Sequence, residues 1–339
     1  MSLREELKRL LGKTWASDTI HAELLEKKIK ETYTIETLML TLNTQEMVPA
    51  YFAYPNNKKK HPLVLYNHSH GGNYEVGKEE ILQDSSYLQT PSFLDVFIKN
   101  GYAVGCIDMW GFGERQGKKE SELFKEFLLL GHTLWGERIS DNQQFLTYLV
   151  DRPEIDANKI ATLGMSMGGM MSWWLAALDE RISLVVDIAG QAEYESLIET
   201  ARLDCHGFYY YIPGLLANYK TIDIQSLITP RPRLSLVGKN DRMCPLSGVK
   251  KLDTYLTKSY TEKGAPQNWQ CQLLTGVHQE TKEMRTIWQR FMKEHLLKNF
   301  QLERASYMIL LQFKPLLMKQ QTGMRKYRFS FFLATIKKM

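Results

Sequence analysis

From Leu63 onward, short apolar runs alternate with segments of helical period, and no other feature limits the possible folds as tightly. The runs are Leu63 to Asn67, Ala103 to Asp108, Lys159 to Gly164, Ile182 to Ile188, Leu234 to Val237 and Cys271 to Leu274. Helical segments fall at Ser92 to Asn100, 132–150, Met167 to Leu178, 247–262 and 280–298. Parallel strands need a long crossover between them, and a helix supplies it. The alternation therefore predicts an α/β fold with a doubly wound, mostly parallel sheet. Ahead of it, Leu38, Leu40 and Leu42 alternate with Thr37, Met39 and Thr41, and Val48 to Tyr54 follows after a short turn. That pattern predicts an antiparallel hairpin forming edge strands. Residues 2–11 and 18–31 are expected as helices, the second from a stripe of Leu24, Leu25 and Ile29. Lys58-Lys59-Lys60 reads as a solvated turn.

Two stretches break the rhythm. Residues 190–230 form a long connection rich in tyrosine, expected as a cap-like or lid-like insertion. Residues 301–339 mix apolar and basic residues without periodicity, so the expected division is a domain over 1–300 and a basic tail over 301–339. The tail holds eight Lys/Arg and one acid, Glu303, whereas the whole chain is only +5. The remainder is slightly acidic, so the basic balance is no reason to expect nucleic-acid binding by the main domain. An apolar content of 44% excludes wholesale disorder. No apolar run approaches the roughly 20 residues of a membrane span. Met1 to Leu11 has no apolar signal core, and Cys106, Cys205, Cys244 and Cys271 show no CxxC spacing. A cytoplasmic protein without disulfides or a structural zinc is expected. The oligomeric state is open.

In an open parallel sheet, ligands bind beyond the carboxyl ends of the strands. After Ile160 to Leu163 comes Gly164-Met165-Ser166-Met167-Gly168-Gly169, a G-x-S-x-G sequence between a strand and a helix. Such a turn is too tight for Cβ groups beside the serine, and the helix N-terminus points its N–H groups at the hydroxyl. Ser166 is the expected nucleophile. A serine needs a base, and of the eight histidines His278 alone follows a late strand and precedes the last helix. His21 and His295 fall in helical patterns, His61 in a turn before a proline and His132 at a helix start. Asp241, beyond the strand Leu234 to Val237, is the expected orienting acid, and the chain order Ser166, Asp241, His278 matches one known arrangement of the triad. The expected oxyanion donors are the N–H of Met167 and that of Gly72, or next Gly71, on the loop His68-Ser69-His70-Gly71-Gly72. A metal on His68 and His70 is not expected, since no further ligand follows at a suitable spacing. The loop from Asp108 to Arg115 is read as flanking the site, with Arg115 bonding its carboxylates.

These residues together resemble the α/β-hydrolase superfamily. The set His70-Gly71-Gly72, Asp108 with Gly111-Phe112-Gly113, Arg152-Pro153-Glu154-Ile155-Asp156, the elbow at Ser166, and Asp241 with His278 is similar to bacterial hydrolases of the dienelactone hydrolase and acetyl xylan esterase-like group. That group borders the prolyl oligopeptidase catalytic domain. The resemblance covers about residues 45–298. Dienelactone hydrolase itself has a cysteine at the elbow, so Ser166 departs from it. About 40 leading residues are too few for the propeller of prolyl oligopeptidases.

The resemblance implies a serine hydrolase, without a cofactor, that cleaves small acetyl or acyl esters through an acyl-enzyme. Its partner would be a small-molecule ester. His206, Tyr209 and Tyr210 in the long connection, and Trp110 after Asp108, are candidate substrate contacts. Two other functions stay open: a small peptidase or amidase, because the same triad cleaves amides, and a non-catalytic binding protein on this fold.

Overall fold

The computed structural model of the chain describes residues 2–297. Its strands are β1 (Ala22–Ile29), β2 (Tyr33–Leu40), β3 (Val48–Pro55), β4 (His61–Asn67), β5 (Ala103–Ile107), β6 (Ile155–Met165), β7 (Leu184–Ile188), β8 (Arg233–Gly238) and β9 (Trp269–Leu274). They form one sheet in the order β1-β2-β3-β5-β4-β6-β7-β8-β9. The first three strands and the β3/β5 pair are antiparallel. From β5 to β9 every pair is parallel. β4 lies between β5 and β6, and all seven of its residues are buried, which is why it reads as a continuous apolar run. The chain steps from β4 to β5 on one side and to β6 on the other. The order therefore reverses at β4/β6, where the crevice of such a sheet opens.

The helices are α1 (Leu3–Leu10), α2 (Phe93–Lys99), α3 (Glu120–Leu129), α4 (Leu134–Val150), α5 (Met167–Leu178), α6 (Tyr194–Glu199), α7 (Leu215–Asn218), α8 (Thr221–Ser226), α9 (Leu246–Glu262) and α10 (Lys282–Leu296). All twelve residues of α5 are buried, including Trp173 and Trp174. A helix that is apolar all round belongs in the centre of a core. α5 starts at the sheet's crevice, so the best-buried helix among the described residues carries the elbow. The 190–230 connection holds α6, two short 3₁₀ turns, α7 and α8. It buries Tyr209, Tyr210, Ile212, Leu215, Ile224 and Ile228 in the main core, so it is a packed insertion.

One expected element is overturned. Residues 18–31 are not a helix, since Ala22–Ile29 is the edge strand β1. Leu24, Leu25 and Ile29 are 51%, 49% and 73% exposed, so no core surface exists for a helical stripe to cover. The free edge of β2 instead pairs with the segment, with a bulge between Leu24 and Glu26. The bulge interrupts the period of two, and this hides the strand in the sequence. His61, expected in a turn, is buried at the start of β4, with its Nδ1 3.0 Å from the Gly101 carbonyl.

Residues 1–293 make one compact unit. Of the second unit, from Glu294, only residues up to Leu297 are described. The 301–339 tail, and the last residue of the expected 280–298 helix, lie outside the described residues. No helix among the described residues is long and apolar enough to cross a membrane.

Candidate active site

Ser166 sits between β6 and α5 with φ 56° and ψ −120°, a backbone conformation that non-glycine residues rarely adopt. The turn is held because the Ser166 N–H donates to the Ile188 carbonyl at 2.8 Å and its own carbonyl accepts from the Met170 N–H at 3.0 Å. Glycine is required beside it. A Cβ on Gly168 would stand 2.0 Å from the Asn67 oxygen and 2.9 Å from the His68 oxygen, and one on Gly164 would stand 2.5 Å from the Asn67 oxygen. The elbow is thus pressed against the end of β4. Gly168→Ala is expected to cost about 1–3 kcal/mol as an overpacking change, because the obstacles are backbone atoms that cannot swing aside. Chemical denaturation measures it, and an unchanged midpoint would refute the close contact.

His278 follows β9 and points Nε2 at Ser166 Oγ, 2.7 Å away. Its Nδ1 lies 2.8 Å from Asp241 Oδ2. A carboxylate only accepts, so Nδ1 carries the proton and donates it to Asp241. The Nε2 lone pair is then free to accept the Ser166 hydroxyl. The second oxygen of Asp241, Oδ1, accepts the Met243 N–H at 2.8 Å. The loops bearing acid and base are joined by backbone: Lys239 N–H to the Leu274 oxygen at 2.7 Å and Asn240 N–H to the Gly276 oxygen at 2.9 Å. Just past His278, the Glu280 carboxylate takes Arg285 through two bonds of 2.6 Å and Trp288 Nε1 at 2.7 Å. The three residues picked from the sequence are therefore one connected chain of hydrogen bonds.

The loop after β4 differs in detail from expectation. The Gly72 N–H is already given to His70 Nδ1 at 3.2 Å, and Gly72 is exposed. The Ser69 N–H is given to Glu80 Oε1 at 2.8 Å. Among the described residues no acceptor takes the N–H of His70 or Gly71, nor that of Met167, which as the first residue of α5 has no partner within the helix. Glu80 is fully buried, with its pKa raised by burial, and also accepts from the Tyr66 and Tyr87 hydroxyls at 2.7 and 2.9 Å. His68 cannot ligate a metal in this arrangement. Its Nδ1–H donates to the Ser69 carbonyl at 2.9 Å and its Nε2 accepts the Met109 N–H at 3.1 Å. Burial lowers its pKa to about 3, so the ring stays neutral.

The candidate substrate contacts separate. His206 is drawn to the acid loop, its Nε2–H donating to the Met243 carbonyl at 2.8 Å. Burial lowers its pKa to about 4, leaving a neutral ring whose Nδ1 is an acceptor. Tyr209 stacks on His70 at 5.6 Å. Tyr210 is instead a core residue: it is wholly buried, stacks on Tyr194 at 4.2 Å and spends its hydroxyl on the Ala192 carbonyl at 2.8 Å. Trp110 packs with Trp15 and Phe127 at 6.0 and 5.2 Å, an aromatic cluster rather than the triad's surroundings. Arg115 does not bond the carboxylates of its own loop, Asp108 and Glu114. It pairs with Glu46 and Asp141 at 2.6 and 2.8 Å and braces the Asp108 carbonyl. Two buried residues beside the site went unnoticed in the sequence, Glu120 and Arg138. Glu120 opens a helix, α3, that the periodicity did not reveal, and Arg138 lies mid-helix in α4 among other polar residues.

Comparison with known proteins gives the family and the fold. A family model described as X-Pro dipeptidyl-peptidase (S15 family) matches residues 44–295. A Bacillus subtilis (strain 168) protein named "Putative hydrolase YtaP" is 45% identical over 294 residues, 86% of this chain and 98% of that one. Among solved structures, one titled as a "putative acetyl xylan esterase" from Bacteroides fragilis has a TM-score of 0.64 at 17% identity, covering 90% of this chain and 86% of that one. A glucuronoyl esterase from Solibacter usitatus has a TM-score of 0.61 at 14% identity, covering 86% and 91%. At such identities the two structures speak for the fold alone.

Proposed function

We infer the reaction from the family outward: the chain belongs to the X-Pro dipeptidyl-peptidase (S15) family and is an α/β-type hydrolase. Within that class the proposed activity is hydrolysis of small carboxylic esters by a serine nucleophile. The observation that carries the proposal is the unbroken line from Asp241 through His278 to Ser166 Oγ, at 2.8 and 2.7 Å, on a strained turn. Ser166 attacks the ester carbonyl while His278 Nε2 takes its proton, and Asp241 steadies the imidazolium. The N–H of Met167, with that of His70 or Gly71, holds the developing oxyanion, each such donor being worth about 10²–10³ in rate. The proton on Nε2 then goes to the leaving alcohol. Water attacks the acyl-enzyme with His278 as base, which frees the acid and restores Ser166. His206 and Tyr209, cap residues that contact the acid loop and the loop after β4, are proposed to border the acyl or alcohol side.

The same triad also cleaves amides, and the family's description names a peptidase. One observation favours esters. A dipeptidyl peptidase must hold its substrate's ammonium group, for which a buried carboxylate is suited. Glu120, the buried carboxylate beside His70, is already compensated: Arg138 lies 3.3 Å away and His70 Nε2 also 3.3 Å. Burial acts to raise its pKa, but these two neighbours hold it below the usual carboxylate range. Purified protein assayed on an aryl acetate and on an Xaa-Pro anilide separates the two. The expected result is a kcat/KM at least about 100-fold higher on the acetate, relative to each substrate's spontaneous rate. Preference for the anilide would give the assignment to the peptidase.

A further inference from the structure

We propose that the buried Glu120–Arg138 pair is a positioning device for the oxyanion hole, seating both donor segments from behind. This rests on the hydrolase reading above. Arg138 is fully buried on α4 and is fixed by two bonds, from Nε and Nη2, to the Trp110 carbonyl at 3.2 and 2.6 Å. Its Nη1 reaches the Sδ of Met167 at 3.3 Å. Its Nη2 lies 3.3 Å from Glu120 Oε2, and that same oxygen lies 3.3 Å from His70 Nε2. His70 Nδ1 is occupied as the acceptor of the Gly72 N–H, so the ring's proton is on Nε2 and faces Glu120. The approach is out of line for a hydrogen bond, but it places the N–H edge of the ring toward a carboxylate. One ion pair thus touches the side chains of Met167, the proposed donor after the nucleophile, and His70, one of the two candidate donors on the loop after β4.

The surrounding rings reinforce the link. The Arg138 guanidinium lies 5.1 Å from the ring centres of both Phe112 and Tyr209. Those two rings also pack against His70, at 5.3 and 5.6 Å. The pair comes from α3 and α4, and Tyr209 from the insertion, so three elements outside the catalytic loops converge on the donor loop. For stability alone a buried pair is a poor device, because the cost of desolvating both charges offsets much of their attraction. What the pair supplies is orientation: a long, rigid, charged contact that fixes where His70 and Met167 sit. A donor misplaced by a fraction of an ångström loses much of its effect on the transition state and little on ground-state binding.

The test compares wild type with Glu120→Gln, Arg138→Lys and Phe112→Leu. Phe112→Leu leaves the ion pair intact and removes a ring shared by Arg138 and His70, so it decides the matter if the charge variants fail to fold. For each folded variant, kcat and KM on an aryl acetate, the rate of Ser166 labelling by a fluorophosphonate, and inhibition by an aryl boronic acid are measured. Expected is a roughly 10- to 100-fold fall in kcat, part of what losing a whole donor costs, with KM within about twofold. Labelling and boronate affinity should fall by a similar factor. Folded variants with wild-type kcat and labelling, or with a loss expressed only in KM, would overturn the proposal. A wild type that labels while its variants label equally fast sinks the positioning role alone. A wild type inert to the probe sinks the serine reading, and the positioning role with it.

Discussion

Replacing Ser166 by alanine is expected to remove a single fluorophosphonate adduct and lower kcat by roughly 10⁴–10⁶-fold, with the fold intact. The fold should survive because the Oγ makes one hydrogen bond, to His278, while the elbow is held by backbone contacts with Ile188 and Met170. Alanine carries the same Cβ as serine and meets the same strain at φ 56°. Nothing in the turn therefore depends on the hydroxyl except the reaction. Intact mass after exposure to the probe gives the first reading, and hydrolysis of an aryl acetate the second. An adduct that persists in Ser166→Ala, or activity within tenfold of wild type, would mean that another group is the nucleophile. Residual hydrolysis well above the buffer rate is compatible with the mechanism, since the N–H groups proposed to hold the oxyanion remain in place.

The hydrogen-bonded line Asp241–His278–Ser166 was legible because each member is tied to a local pattern. Ser166 stands in a glycine-flanked turn, and Asp241 and His278 follow apolar runs that become β8 and β9. Strand ends are where a parallel sheet presents its chemistry, so finding the strands was nearly sufficient. The inner strands β4, β5, β7 and β8 are buried along their length and read as apolar runs, whereas the half-buried edge strand β9 showed only a short one. What failed was decided by contacts distant in sequence. β1 is a strand because β2 offers it an edge, not because its own residues alternate. Tyr210 and Trp110 are aromatic residues in promising segments, and only their neighbours show that they serve packing. The loop after β4 was legible as glycine-rich, but which of its N–H groups are left without an acceptor depends on which are already occupied. That turned on Glu80, eleven residues beyond Ser69, and on the His70 ring. Glu120 and Arg138 are the extreme case, since an ion pair between two helices leaves no trace in the periodicity of either.

Asp241→Asn is expected to lower kcat by about 10⁴-fold while changing stability far less. The carboxylate accepts two N–H groups, Met243 N–H on Oδ1 and His278 Nδ1–H on Oδ2. An amide of the same shape has one oxygen, so it can accept only one of them. If the oxygen stays with Met243, the amide nitrogen faces His278 and donates to Nδ1. The ring proton is then driven to Nε2, where it points at Ser166 and removes the lone pair that must take the hydroxyl proton. If the oxygen instead turns to His278, the Met243 N–H is left against an amide NH₂, and the imidazolium loses the compensating charge in either case. The first arrangement disables the base, whereas the second keeps its tautomer and weakens it by removing the charge, and they differ also in their effect on the Met243 turn. The first leaves the Met243 turn intact, so the carbonyl that receives His206 stays in place. The second disturbs that turn and should loosen the insertion near His206. A large loss of kcat with an unchanged denaturation midpoint would select the first. The backbone bonds between the Asp241 and His278 loops make that the expected outcome, because they hold both loops without help from the side chain. A variant with kcat within tenfold of wild type would show that the orienting charge comes from elsewhere, and Asp241 would then be only the cap of its turn.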